Sequence, residues 1–420
     1  MKPNSVSNQN ITTSEHKPFN RRSFLHSIGI GTAALGFIQT GCSSDKKEGV
    51  KGNQVIQGFE KDSSSTTSRQ WIAVSDKKVK VGIVGYGLCQ FGAAFEFQNH
   101  PNVEIVAVSD LYPDRCAELA KACKCSKTYP SLEELIKDNS IEAVFIATDA
   151  PSHAKHAIAA LKHGKHVAVA VPAVFGNLED ADRLYEAVKS SGKKYMMFET
   201  SCFHEDLYAM REIYKVGGFG KLVYSEGEYY HYMAEPLASY KDWRVGLPPQ
   251  YYPTHSNGYY IGVTDGSFTE VSCMGIPSIV KHLQPSNNQY KNPFGTEIAL
   301  FRTNEGGMSR MAVSWDSPGD HGEKGRIRGE KGSFYGKYEG HETKLPNLVR
   351  PGLPPKVDEG GHGGSHGRLT DEFISSILQD RQPLVHIAMA LNLSVSGIVA
   401  HQSALKDGEL LKIPQYKIWS

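Results

Sequence analysis

Several short stretches hold residue types that can do chemistry. In Tyr252-Pro253-Thr254-His255 a phenol and an imidazole stand three residues apart. On the first turn of a helix opened by Pro253 they would be neighbours on one side. Imidazole titrates near neutral pH, and a phenol becomes an acid or base when a cation lowers its pKa, so the pair could hydrogen-bond and share a proton. The other reading is an aromatic pair in the core, with His255 satisfied by backbone. In Gly360-Gly361-His362-Gly363-Gly364 a histidine lies between two pairs of glycines. Their backbone freedom lets a loop bring an imidazole to a ligand or close as a lid, though a plain flexible loop has the same composition. Tyr229 and His231 alternate along a strand-like run and share a face, either toward substrate or packed in the core.

A different chemistry lies near residue 85. The apolar run 81–84 ends in Gly85-Tyr86-Gly87-Leu88 and passes at once into small and aromatic residues at helical spacing. That is how a buried parallel strand turns tightly into a helix. The glycines would let backbone N–H groups approach a pyrophosphate on the positive end of the helix. The third glycine of G-x-G-x-x-G is replaced by Gln90, with Gly92 two places on. Asp110 closes a second strand-like run at the interval expected for the acid that holds a ribose diol. A flavodoxin-like turn with no nucleotide fits the same letters.

The elements that must position these residues follow from periodicity. Helical stretches at 114–123, 132–137, 156–163 and 179–191 alternate with strands at 104–110, 143–147, 167–172 and 194–198. Such alternation means right-handed βαβ units and a parallel sheet, with ligand outside the carboxyl ends of the strands. Strand-like runs then recur at 222–229, 268–273, 296–301, 308–315, 325–329 and 332–338, with hairpin signals at 304–307 and 329–332. They predict a mainly antiparallel open sheet, one face on helices and the other free for ligand or a partner subunit. Helices over 370–379 and 387–405 should pack across both halves. The fold class is α/β, a Rossmann-like doubly wound parallel sheet (79–200) followed by an α+β domain for substrate binding and oligomerisation (201–420).

Arg21-Arg22 precedes a glycine-rich apolar stretch, 27–38, too short for a good membrane span, and resembles a twin-arginine export signal. Gly41-Cys42-Ser43-Ser44 suggests cleavage before Cys42 and a lipid anchor there, or simply the start of a linker. Residues 1–42 are thus read as signal, and 43–78, poor in apolar residues, as a disordered tether. The expected place is the periplasm. A dinucleotide found there would be loaded before export and held tightly, and an enzyme that re-oxidises its cofactor on the same substrate would not stall. With 46 basic and 45 acidic residues, nothing argues for nucleic acid or an anionic membrane. Seven scattered cysteines show no paired zinc spacing, so neither a metal nor a disulfide framework is expected.

Gly-x-Gly, the strand ending at Asp110, Thr148-Asp149-Ala150-Pro151-Ser152-His153, then Gly164-Lys165-His166-Val167 and a strand closing on Pro172 resemble the Gfo/Idh/MocA family of NAD(P)-dependent sugar oxidoreductases. Its dehydrogenase members carry Glu-Lys-Pro where this chain has Ala170-Val171-Pro172, so the lysine that would shift a proton is absent. Met196-Met197-Phe198-Glu199, the run 220–231, Tyr252 to His255 and the glycine-flanked His362 follow in the order of the landmarks of glycoside hydrolase family 109, the NAD-dependent branch. This resemblance covers most of the chain from about Lys78 onward. It implies cleavage of a glycoside by oxidation of a ring hydroxyl, loss of the C2 proton, departure of the C1 substituent, water addition and return of the hydride. It also implies Tyr252 and His255 for proton transfer, and His362 and Tyr229 for substrate contact. Gly85, Gly87, Leu88, Asp110, Thr148 and His153 would hold a tightly bound NAD in preference to NADP. A sugar or glycoside would be the ligand and a homo-oligomer, at least a dimer, the assembly. A net sugar dehydrogenase, a 3-keto-glycoside lyase or hydratase, and a non-catalytic sugar-binding protein remain open.

Overall fold

In the computed structural model residues 70–87 and 89–419 are described. The expected signal, Cys42, most of the tether and Leu88 lie outside them. Six strands, β1 (Val79–Val84), β2 (Val103–Ser109), β3 (Thr128–Tyr129), β4 (Ala143–Ile146), β5 (His166–Ala170) and β6 (Tyr195–Phe198), form one sheet in the order β3-β2-β1-β4-β5-β6. Every pairing is parallel. β4 and β6 are buried at every position, as continuous apolar runs covered on both faces must be. The connections carry α1 (Phe91–Ala94), α2 (Pro113–Ala122), α3 (Leu132–Leu135), α4 (His153–Lys162) and α5 (Leu178–Ser191). Between β1 and β4 the strand order reverses, which opens the crevice where α/β sheets bind ligands.

The second half runs α6 (Glu205–Lys215), β7 (Leu222–Tyr230), α7 (Thr254–Thr264), β8 (Phe268–Pro277), β9 (Phe294–Thr303), β10 (Met308–Ser314), β11 (Gly322–Gly329), β12 (Gly332–Phe334) and β13 (Tyr338–Gly340). It closes with α8 (Gly361–Gly364), α9 (His366–Leu378), α10 (Ile387–Ala404) and β14 (Leu411–Lys412). Eight strands make a sheet in the order β13-β12-β11-β7-β10-β9-β8-β14, antiparallel except between β7 and β10. Two departures from the sequence reading matter. The run 332–338 is two strands, because Gly336 at φ +74° reverses the chain. β11 starts three residues early, which pairs Glu323 with Tyr229.

Two helices position the site. All of α7 from Thr254 to Val263 is buried, wedged beneath the second sheet. The sheet admits it because Gly227 and Gly325 carry no side chain: a Cβ there would lie 2.0 Å from the Ser256 carbonyl oxygen and 2.1 Å from the Tyr259 ring. The long helix α10 carries no Asp, Glu, Lys or Arg and is buried at nearly every position, packing on α5 and β6 of the first half and on α7 and β8 of the second. It therefore fixes one sheet against the other.

Candidate active site

The turn after β1 is built for close backbone approach. Gly85 sits at φ +93°, and a Cβ on it would meet the Ala147 carbonyl oxygen at 2.4 Å, so a side chain is excluded twice over. The helix expected behind the turn is one turn long, α1, with Gln90 in the left-handed region (φ 53°) just before it. Gly92 takes the role expected of the third glycine, since a Cβ there would come 2.5 Å from the Gly85 carbonyl oxygen. Any anion at this turn is therefore met by the turn's own N–H groups, with little helix dipole behind them. The Asp110 carboxylate accepts from Tyr86 N (2.8 Å) and Tyr112 N (2.9 Å), which fixes it at the crevice mouth.

Gly85, Gly87, Asp110, Arg115 and Thr148 line a cavity of about 400 Å³, roofed by Tyr240 and Arg244 from the segment between β7 and α7. The volume, the glycine cradle and the fixed carboxylate fit a dinucleotide. Thr148 also holds His156, hydroxyl to Nδ1 at 2.9 Å. His153 departs from expectation: it is buried and off the cavity wall. Its Nδ1 lies 2.9 Å from the Pro172 carbonyl and its Nε2 3.1 Å from that of Thr148, so two carbonyls claim the ring and it braces the turn against the end of β5.

Next to this cavity, and sharing Cys89, Phe91 and Arg244 with it, is a smaller one of about 50 Å³. Tyr229, His231, Tyr252, His255 and His362 meet on its wall, and Val171 stands there too. The expected hydrogen bond between Tyr252 and His255 is not made; their ring centroids are 5.6 Å apart. His255 instead points Nδ1 at Glu199 Oε1 (2.7 Å), with Thr200 Oγ1 at 3.2 Å and Glu323 Oε1 at 3.5 Å. Burial opposes a charge on His255, yet Glu199 and Glu323 outweigh it and hold its pKa up at about 9. Burial likewise works to raise Glu199, but His255 outweighs that and keeps the carboxylate ionised.

The cation that the phenol needs is Arg244, whose guanidinium carbon lies 4.2 Å from the Trp243 ring centre and 5.9 Å from that of Tyr252. Burial lifts Tyr252 to about 12, with Arg244 pulling the other way. Tyr229 presents its ring edge-on to His255 at 4.6 Å. His362 sits at φ 50°, and beside it Arg350 Nη1 donates to the carbonyls of Phe203 (2.8 Å) and Gly363 (2.9 Å). Its ring stacks on His255 with centroids 6.1 Å apart. Burial, then the neighbouring His366 and His255, push its pKa well below 6.5. A charged imidazole and a neutral one thus face a single cavity.

Residues 79–199 match the Gfo/Idh/MocA oxidoreductase family, described by its NAD-binding Rossmann fold. The chain carries a Gfo/Idh/MocA domain. Over 378 residues it is 27% identical to "Glycosyl hydrolase family 109 protein 5" of Phocaeicola vulgatus, covering 82% of this chain and 71% of that protein. It is 24% identical over 404 residues to a family 109 protein of Solibacter usitatus, covering 84% and 92%. With family 109 protein 1 of Bacteroides fragilis it shares 30% identity over 194 residues, 43% of this chain and 42% of that one. Among solved structures, levoglucosan dehydrogenase in complex with NADH and levoglucosan superposes with a TM-score of 0.66 at 18% identity, covering 81% of this chain and all of that one. Scyllo-inositol dehydrogenase from Lactobacillus casei gives 0.63 at 17%. At such identity these two establish the fold.

Two site residues were given no role by the sequence. Glu199, named there only within a family landmark, follows the last strand of the Gfo/Idh/MocA domain directly, and a carboxylate at the end of a fully buried strand was the available signal. Glu323 alternates with Gly325 and Ile327 on the inner side of β11, against Lys324, Arg326 and Arg328 outside. Among the described residues Glu199, His255 and Glu323 are the group whose ligand atoms lie close enough, within 4.8 Å, to consider a metal ion. The 2.7 Å between His255 Nδ1 and Glu199 Oε1 is a charge-assisted hydrogen bond, shorter than the roughly 3.3 Å between two ligands of a tetrahedral zinc. As arranged, the three form an ion-pair cluster.

Proposed function

We propose that the chain is an NAD-dependent glycosidase acting by transient oxidation of a ring hydroxyl, elimination, water addition and re-reduction. One observation carries this: an imidazolium clamped by two carboxylates and a neutral imidazole share a cavity that adjoins the dinucleotide crevice. Environments that push two titratable groups apart assign acid and base. Bound NAD would supply a hydride acceptor that later returns the hydride. Tyr252 takes the proton of the hydroxyl being oxidised as its phenolate, the form that Arg244 favours and burial opposes. His362, neutral, receives the proton made acidic beside the ketone. His255 donates to the departing oxygen and, once deprotonated, activates the incoming water. Asp110 supports NAD over NADP, because a 2′-phosphate would meet its carboxylate.

The test is to purify the chain without added nucleotide, denature it, identify what is released, and incubate fresh protein with a panel of p-nitrophenyl glycosides. Near-stoichiometric NAD, nitrophenol release and no build-up of reduced cofactor are expected. Empty protein that reduces added NAD only with a free sugar would make it a net sugar oxidoreductase instead. Export through Arg21-Arg22 with the cofactor seated, and lipidation at Cys42, belong to the same reading and rest on the sequence alone. A dimer through the outer face of the second sheet is part of the proposal too, supported by the exposure of Met274, Ile276 and Leu300 there; light scattering on the same preparation tests it.

A further inference from the structure

We infer that His366 is a positioning residue that fixes the tautomer of His362, leaving His362 Nε2 bare toward the substrate cavity, and that the carbonyl of Ala94, next to the nucleotide turn, sets this arrangement. The catalytic consequence rests on the reading above; the tautomer does not.

The chain of hydrogen bonds leaves one solution. His366 is 1% exposed, and its Nδ1 lies 3.2 Å from the Ala94 carbonyl oxygen. A carbonyl only accepts, so Nδ1 carries the proton. Burial, with the charge of His204 adding to it, holds His366 down at about 4, so at neutral pH its Nε2 is a bare acceptor. His362 Nδ1 lies 3.1 Å from that Nε2 and must therefore be the donor. A neutral imidazole with its proton on Nδ1 presents a lone pair at Nε2. When Nε2 takes up a proton, Nδ1–H stays bonded to His366, and the new imidazolium pays no cost of reorientation.

Ala94 ends α1, the single helical turn that Gly92 packs against the Gly85 backbone. The acceptor that orders the two histidines thus hangs from the element that follows the nucleotide turn. The titratable groups facing His362 are His204 before α6, His231 after β7, His255 on α7 and His366 on α9. Behind them stand Glu199 and Glu323, with Glu323 Oε2 3.2 Å from His204 Nε2. His366 also packs on Phe95, ring centroids 4.3 Å apart, so a packing role has to be separated from a tautomeric one.

Two substitutions separate them in the full chain. His366→Phe keeps an aromatic ring against Phe95 and removes the acceptor. His366→Gln can accept from His362 through its amide oxygen and donate to Ala94 through its amide nitrogen. With uniformly 15N-histidine-labelled protein, the wild type should show His362 protonated at Nδ1 and bare at Nε2, and His366→Gln should keep that pattern. His366→Phe should show mixed tautomers. On whichever p-nitrophenyl glycoside the wild type cleaves, His366→Phe should lose about 10- to 100-fold in kcat with KM little changed, and His366→Gln should recover most of it. A wild-type His362 protonated at Nε2 overturns the proposal, as does a Phe variant that keeps tautomer and kcat while the Gln variant loses them. The spectra decide the tautomer even if no glycoside is turned over, so failure of the glycosidase reading would be seen separately.

Discussion

His255 owes its chemistry to two carboxylates that stand far from it in the sequence. The sign of its pH dependence follows. Its pKa in the folded chain, about 9, lies above the ordinary 6.5, so the stability it contributes is complete below pH 6.5 and is lost as pH rises through about 9. In the proposed mechanism the same proton is the one donated to the leaving oxygen, so kcat/KM should fall above pH about 9. In Glu199→Gln the falling limb should move to lower pH, and the rate at neutral pH should drop by about 10²- to 10⁴-fold, the usual worth of a general acid. A profile that stays flat through pH 9, or an unshifted limb in the variant, would count against His255 as the acid. Tyr229, Tyr252, His255 and His362 were legible because their types and motifs speak locally, and they do converge. Glu199 and Glu323 were not, because what a carboxylate does depends on burial and on strand register.

At the level of elements, the nucleotide turn shows where legibility stops. The period-2 and period-3.6 alternation dictates the parallel sheet, and Gly85 and Asp110 stand where the spacing puts them. The length of α1 could not be read, since Glu96 enters the left-handed region (φ 66°) within what looks like a helical run. Once the helix is one turn long, Gly92 replaces the motif glycine as the contact point. The place of His153 off the cavity wall was hidden for a related reason: only the fold reveals that the carbonyls of Pro172 and Thr148 lie beside its ring. Gly92→Ala should therefore hurt more than an exposed Gly→Ala change would. Its Cβ would press on the Gly85 backbone, and overpacking of this kind costs about 1–3 kcal/mol. A lower melting temperature and loss of co-purified nucleotide are expected. Unchanged nucleotide content would mean that this helix does not shape the crevice.

Over the whole molecule, buried histidines set the acid limit. Burial holds His166, His231 and His366 down at about 4 each, against 6.5 in the unfolded chain. Between those values the unfolded state binds more protons, so stability falls as pH drops from about 6.5 toward 4. Calorimetry across that range should show a falling melting temperature, with a shallower slope in His366→Gln; a flat curve would contradict the buried, neutral state of these rings. Both halves are tied by α10, and the segment between β7 and α7 lends Arg244 to each cavity. A shared wall couples its two rooms: whatever fills one touches the guanidinium that also borders the other.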